Sequence, residues 1–122
     1  MEAMDKKLRG GAGEALALKW LKSKGYKPVG MGYRSRFGEI DLIVKNREYI
    51  VFVEVKLRKD SRFAEAREFV SAAKRERIVK TAQQYLAEHD TDLQPRFDVI
   101  EIYAPEGALE KDYVINHLEN AF

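Results

Sequence analysis

Apolar and polar positions alternate most strictly between residues 50 and 58. There Val51, Val53, Val55 and Leu57 fall on one face of a strand, and Phe52, Glu54, Lys56 and Arg58 on the other. Just upstream, Ile40, Leu42 and Val44 oppose Glu39, Asp41 and Ile43 with the same period. The two runs predict a hairpin that turns near Asn46-Arg47-Glu48. If Arg47-Glu48 form a two-residue loop, Asp41 falls opposite Glu54 on one face. A slip of one residue puts the two acids on opposite faces, and the turn residues alone do not decide between these registers. Carboxylates within β-branched runs are costly to bury unless a cation or hydrogen bonds compensate them.

The remaining chain reads as follows. Residues 1–10 form a flexible basic lead-in. From about Gly11 to Lys24 the period is helical, with Ala15, Leu16, Ala17, Trp20 and Leu21 as a broad apolar stripe, and Gly25 and Pro28 as stop signals. Glu14 lies three, four and seven residues before Ala17, Leu18 and Leu21, on or beside that stripe, although a first-turn glutamate also suits the helix dipole. Residues 26–34 suggest a short strand interrupted by Gly30 and Gly32, and residues 59–68 a charged loop carrying Lys59, Arg62 and Arg67. Ser71 can cap a second helix reaching about Glu88, striped by Ile78, Ala82, Tyr85 and Leu86, with Lys74 pointing inward or toward the sheet edge. A strand over 96–103, a turn at Pro105-Glu106-Gly107 and a last strand over 113–118 complete the order α-β-β-β-α-β-β. That order predicts one mixed α/β domain of the α+β kind, a mixed central sheet flanked by helices. The connection through the second helix has the length of a crossover.

Composition narrows the chemistry. A chain of 122 residues supports one domain, and the absence of cysteine excludes disulfides, zinc–thiolate sites and cysteine nucleophiles. His89 and His117 are the only histidines, too few for a multi-histidine metal site. No apolar run has the length of a membrane span, so no membrane association and a cytoplasmic location are expected. Net charge is only +2, but residues 1–36 hold nine Lys/Arg against three acids, and residues 97–122 hold one lysine against six acids. Such polarity suits a protein that turns one face to a polyanion, or a solvated surface with chance clustering.

Asp41 and Glu54 can jointly hold a divalent cation, with the backbone carbonyl of Val55 as a third oxygen ligand. Mg²⁺ favours few carboxylates, retained waters and phosphate oxygens. Lys56 projects to the same side as Glu54, about 6–7 Å along the strand, where it can orient a water or stabilise charge on a transferring phosphoryl group. Glu54 and Lys56 alone also read as a plain same-face ion pair. Asp41, separated from Glu54 by twelve residues in an apolar hairpin, shifts the balance toward a site.

Asp41 followed by Glu54-Val55-Lys56 resembles the PD-(D/E)XK nuclease motif, with Ile40 where the motif's name has proline. Gly38-Glu39-Ile40-Asp41-Leu42-Ile43, Phe52-Val53-Glu54-Val55-Lys56-Leu57-Arg58 and Arg96-Phe97-Asp98-Val99 more closely resemble the YraN-like family of small bacterial proteins. The resemblance implies a restriction-endonuclease-like core, comparable with archaeal Holliday-junction resolvases. It also implies Asp41 and Glu54 as metal ligands, Lys56 as catalytic lysine and Glu14 completing the acidic site. Glu39 and Arg58 become supporting positions, and Lys74 a phosphate contact. The expectation is a Mg²⁺- or Mn²⁺-dependent endonuclease acting as a homodimer on DNA, in branched or damaged structures. Lys19, Lys22, Arg34, Arg36, Arg58, Arg62, Lys74 and Arg77 would hold the backbone. The alternative is a non-catalytic nucleic-acid-binding or partner protein that keeps the fold.

Overall fold

The computed structural model describes residues 2–58, 70–103 and 113–122, with side chains from Gly11 onward. Among these residues the chain runs α1 (Glu2–Ser23), β1 (Lys27–Arg34), β2 (Glu39–Lys45), β3 (Tyr49–Arg58), α2 (Ala72–Glu88), β4 (Gln94–Tyr103) and β5 (Val114–Leu118). The strands form one sheet in sequence order, antiparallel throughout except for the parallel pair β3–β4. A parallel neighbour cannot be reached by a hairpin, and α2 lies within the long connection that makes it possible. The mixed sheet and the element order are those expected from the sequence.

Alternation along β3 sorts the core into two layers. Val51 and Val53 join Leu42, Val44, Ile100 and Ile102 under Ala17 and Leu21 of α1. Ile50 and Phe52 join Ile43 and Val99 under Ile78, Ala82 and Tyr85 of α2. Both faces of the sheet are therefore covered. This explains why residues 50–53 of β3 are an unbroken apolar run. Ser71 caps α2 by accepting the Lys74 N–H at 3.2 Å, so the helix begins where its sequence signal predicts.

The hairpin register is settled by Asn46. Its side-chain Oδ1 accepts the N–H groups of Glu48 (2.9 Å) and Tyr49 (2.7 Å), and its own N–H donates to the Tyr49 carbonyl at 3.0 Å. Arg47-Glu48 are thus the two-residue loop, and Leu42 pairs with Val53. In that register Asp41 faces Glu54 across the strands.

Several details differ from the sequence expectations. Helix α1 begins at Glu2 rather than near Gly11. Ala15, assigned above to the apolar stripe, is exposed, because Ala17 and Leu21 meet the sheet and Ala15 lies around the helix from them. Ile40 packs with Ile43 on the α2 side, not with Leu42 and Val44. The cause is local. The β2–β3 ladder ends at Leu42–Val53, and the next available N–H, that of Val55, donates to Asp41 Oδ2 at 2.8 Å. A continued ladder would have given this N–H to the backbone of Ile40. With a side chain intruding into the ladder, the strands part and strict alternation stops there. Phe122, open to either a surface or a core role, stacks on Phe97 with ring centroids 5.2 Å apart beside the α2-side core. The loop over 59–68, including Arg62, the turn at Pro105–Gly107, and Phe63 and Phe69 lie outside the described residues.

Candidate active site

Where β2 and β3 part, three elements converge. β2 supplies Asp41 and β3 supplies Glu54 and Lys56. The first turn of α2 supplies Lys74. Glu54 is buried, only 7% exposed, and its Oε1 meets Lys74 Nζ at 2.6 Å and Lys56 Nζ at 3.4 Å. From α1, buried Gly13 faces β3 and β4, where a Cβ would make ordinary contact with Ile102 Cδ1 at 3.9 Å and Val55 Cγ1 at 4.0 Å. This brings the neighbouring Glu14 to the same end of the sheet, half-buried and within the field of Glu39 and Glu54.

Electrostatics distinguishes the members. Burial, then the charge of Glu54, pushes the Asp41 carboxyl from 3.8 up to about 7, although the Val55 N–H bond and Lys74 pull the other way. Burial followed by repulsion from Glu39 and Glu54 raises Glu14 as well. Burial and its contact with Lys74 lower Lys56 despite the attraction of Glu54. Burial would also lower Lys74, but its bonds to Glu54 and Lys56 outweigh that and raise it. Two lysines on one carboxylate therefore end with opposite shifts. Lys56 is the one closer to giving up its proton.

One consequence concerns pH. Asp41 binds its proton more tightly in the folded chain than in the unfolded one. The folded state therefore holds extra protons between about pH 4 and pH 7, and stability falls as pH rises through that window. In the presence of a chelator, the melting temperature of wild type minus that of Asp41→Asn is expected to decrease from pH 5 to pH 8, roughly the span of that window. A flat difference across that range would show that the Asp41 carboxyl is not strained.

Asp41 and Glu54 are the side chains best placed to hold a cation. Repulsion between them is the kind of strain a divalent ion relieves. Among the described residues, Glu14, Asp41 and Glu54 do not close into a ready cage of three or more ligating side chains. Two carboxylates with waters and phosphate oxygens still match the preference of Mg²⁺. The remaining residues named from the sequence lie around this centre. Glu39 is largely exposed and pairs with Arg34 at 3.2 Å. Arg58 approaches buried Glu101 at 3.8 Å. Arg36 and Arg77 are exposed beside the β1–β2 turn and α2, and Lys19 and Lys22 lie on the solvent side of α1. Lys74, expected at a phosphate, has its ammonium on Glu54 in this structure.

Sequence reasoning missed a second buried polar group. Asp98 Oδ1 accepts from Arg96 Nε (2.9 Å) and the Asn120 N–H (3.0 Å), while Oδ2 accepts from Arg96 Nη2 (2.8 Å) and His117 Nε2 (2.7 Å). Trp20 Nε1 donates to His117 Nδ1 at 3.2 Å, and Arg96 Nη2 donates to the Tyr26 hydroxyl at 2.6 Å. This network ties α1, β4 and β5 together on the α1 face of the sheet, away from Glu54. The sequence signal for it was the pair Arg96 and Asp98, two residues apart and so on one face of the strand.

The family model described as "Uncharacterised protein family UPF0102" matches residues 13–102, a span that contains Glu14, Asp41, Glu54, Lys56, Lys74 and Asp98. A UPF0102 protein of Alkaliphilus oremlandii is 45% identical, covering 98% of this chain and 100% of its own length. One from Caldanaerobacter subterraneus subsp. tengcongensis is 44% identical over the full length of both chains, and one from Vibrio parahaemolyticus is 39% identical over 99% and 97%. With the family model matching residues 13–102 and relatives matching nearly end to end, this chain belongs to the UPF0102, or YraN-like, family.

Proposed function

We propose that the protein is a Mg²⁺- or Mn²⁺-dependent endonuclease that hydrolyses phosphodiester bonds in DNA, with the PD-(D/E)XK arrangement of the restriction-endonuclease-like fold. The observation that carries this reading is the facing pair Asp41 and Glu54 at the parted end of the hairpin, with Lys56 at 3.4 Å from Glu54. A divalent ion held by Asp41 and Glu54, with the Val55 carbonyl and Glu14 alongside, would supply Lewis-acid stabilisation of charge on the scissile phosphate. The chain's own groups do the rest. Lys56 Nζ, held beside Glu54, orients an attacking water and stabilises charge on the transferring phosphoryl group. Glu54 keeps Lys56 in place, and Asp41 is kept in place by its bond from the Val55 N–H. Arg36 and Arg77, exposed on the same side as α2, offer backbone contacts that carry no sequence information. Nothing among the described residues reads base edges, which favours structure-directed over sequence-directed recognition. Paired cutting of a branched substrate requires two sites, and hence a homodimer.

The experiment is cleavage of labelled four-way junction, flap, single-stranded and duplex DNA with Mg²⁺ or Mn²⁺. Wild type should cut at least one of them, and a chelator should stop it. Light scattering at micromolar concentration should find a dimer. One observation favours a second reading, a non-catalytic nucleic-acid-binding protein: Glu54 Oε1 already has two ammonium partners, so a cation must displace one of them. Salt-sensitive binding without cleavage of any substrate would establish that second reading instead.

A further inference from the structure

The turn between β1 and β2 presents an aromatic side chain that the apolar clusters of the described residues do not include. Phe37 is half-buried and belongs to neither apolar cluster. Its ring lies under two cations, with Arg36 Cζ 4.9 Å and Lys80 Nζ 5.6 Å from the centroid. Lys80 also pairs with exposed Glu76 at 3.1 Å, so its ammonium is not committed to the ring alone.

The turn is bolted down more firmly than a surface loop requires. Ser35 N–H donates to the Gly38 carbonyl at 2.8 Å, and the Phe37 N–H donates to Ser35 Oγ at 3.0 Å. Ser35 Oγ is 2.8 Å from Thr81 Oγ1, which donates to the Arg77 carbonyl at 2.8 Å and is fully buried. Gly38 lies against Arg77, where a Cβ would stand 3.6 Å from the Arg77 Cβ. A rigid turn holding an aromatic among cations is the form of a stacking platform, because little entropy is lost when a flat partner settles on it.

Its distance from the site is set by α2. Thr81 is seven residues after Lys74, about 10 Å along the helix axis. We infer that an exposed nucleobase of the DNA whose phosphate lies at Glu54 takes the place of the Arg36 guanidinium over Phe37 and stacks there, with Arg36 and Lys80 alongside, so that substrates with unpaired bases are preferred to continuous duplex. In a duplex every base is stacked on both sides and offers Phe37 no free face. In a flap, gap or single strand a base face is open. This rests on the nuclease reading and adds to it the substrate class.

Fluorescence anisotropy with labelled single-stranded, flap and blunt duplex DNA, in a chelator so that no cutting intervenes, tests the inference. Phe37→Ala should weaken single-strand and flap binding about tenfold, the scale of one lost base–aromatic stack, while duplex binding changes less than about twofold. Phe37→Trp should restore the lost binding, since any flat ring can stack. An unchanged affinity for all three DNAs, an equal loss on all three, or no restoration by Phe37→Trp overturns the platform while leaving the nuclease reading standing. Failure of wild type to bind any of the three removes the nucleic-acid reading itself, and this inference with it.

Discussion

Asp41→Asn is expected to abolish cleavage and, at the same time, to raise the melting temperature of the chelated protein at pH 8. The loss of activity should reach about a thousandfold, the scale of several kcal/mol of metal-derived stabilisation of the transition state. Asparagine keeps an oxygen to accept the Val55 N–H, so the parted end of the hairpin is preserved. What it removes is a partly buried carboxylate pushed up to about 7 by desolvation and Glu54. Gain of stability with loss of function is the signature of a strained group kept for chemistry. Glu54→Gln and Lys56→Met should lose activity similarly without that gain, because each breaks the favourable contact at 3.4 Å. Scanning calorimetry beside a single-turnover cleavage assay reads both quantities. A less stable Asp41→Asn protein that still cuts would mean the carboxylate serves the fold.

The second large effect concerns stability alone. Asp98→Ala should cost about 3–5 kcal/mol, because it leaves a buried guanidinium without its counter-charge. In a domain whose whole stability is about 5–15 kcal/mol, such a loss takes a large share. Asp98 is fully buried and Arg96 only 9% exposed, so solvent cannot take the place of the lost bonds. Burial alone would raise the Asp98 carboxyl, yet the bonds from His117, Arg96 and the Asn120 N–H outweigh it and hold it below its ordinary value. A carboxyl depressed in the folded state contributes stability above the ordinary carboxylate range and loses it as pH falls through its folded value. Asp98 and Asp41 therefore tilt the acid side of the stability curve in opposite directions. Urea unfolding of Asp98→Ala measures the loss, and a change below about 1 kcal/mol would mean that water or a rearranged Arg96 replaces the carboxylate.

Much of the frame was legible in the sequence because it depends on period. Alternation over Val51–Leu57 made β3 a strand whatever its neighbours, and Ser71 with the Ile78–Ala82–Tyr85 stripe placed α2. The candidate site was legible in its members, Asp41, Glu54 and Lys56, because two carboxylates in apolar strands are costly without a purpose. Their meeting was not legible. It depended on a register that Asn46 settles through two side-chain bonds to the turn backbone. The parting of β2 from β3, and the consequent placing of Ile40 with Ile43, came from a long-range bond between Asp41 and Val55 that no local period encodes. Lys74 reached Glu54, and Ser35 reached Thr81, only because the crossover lays α2 against the hairpin. The Asp98 network likewise joins residues up to 97 positions apart. Local pattern determined the elements and named the acids, since propensity and alternation act over a few residues. Tertiary packing decided which charges share a site, since burial and register arise only when the two helices close over the sheet.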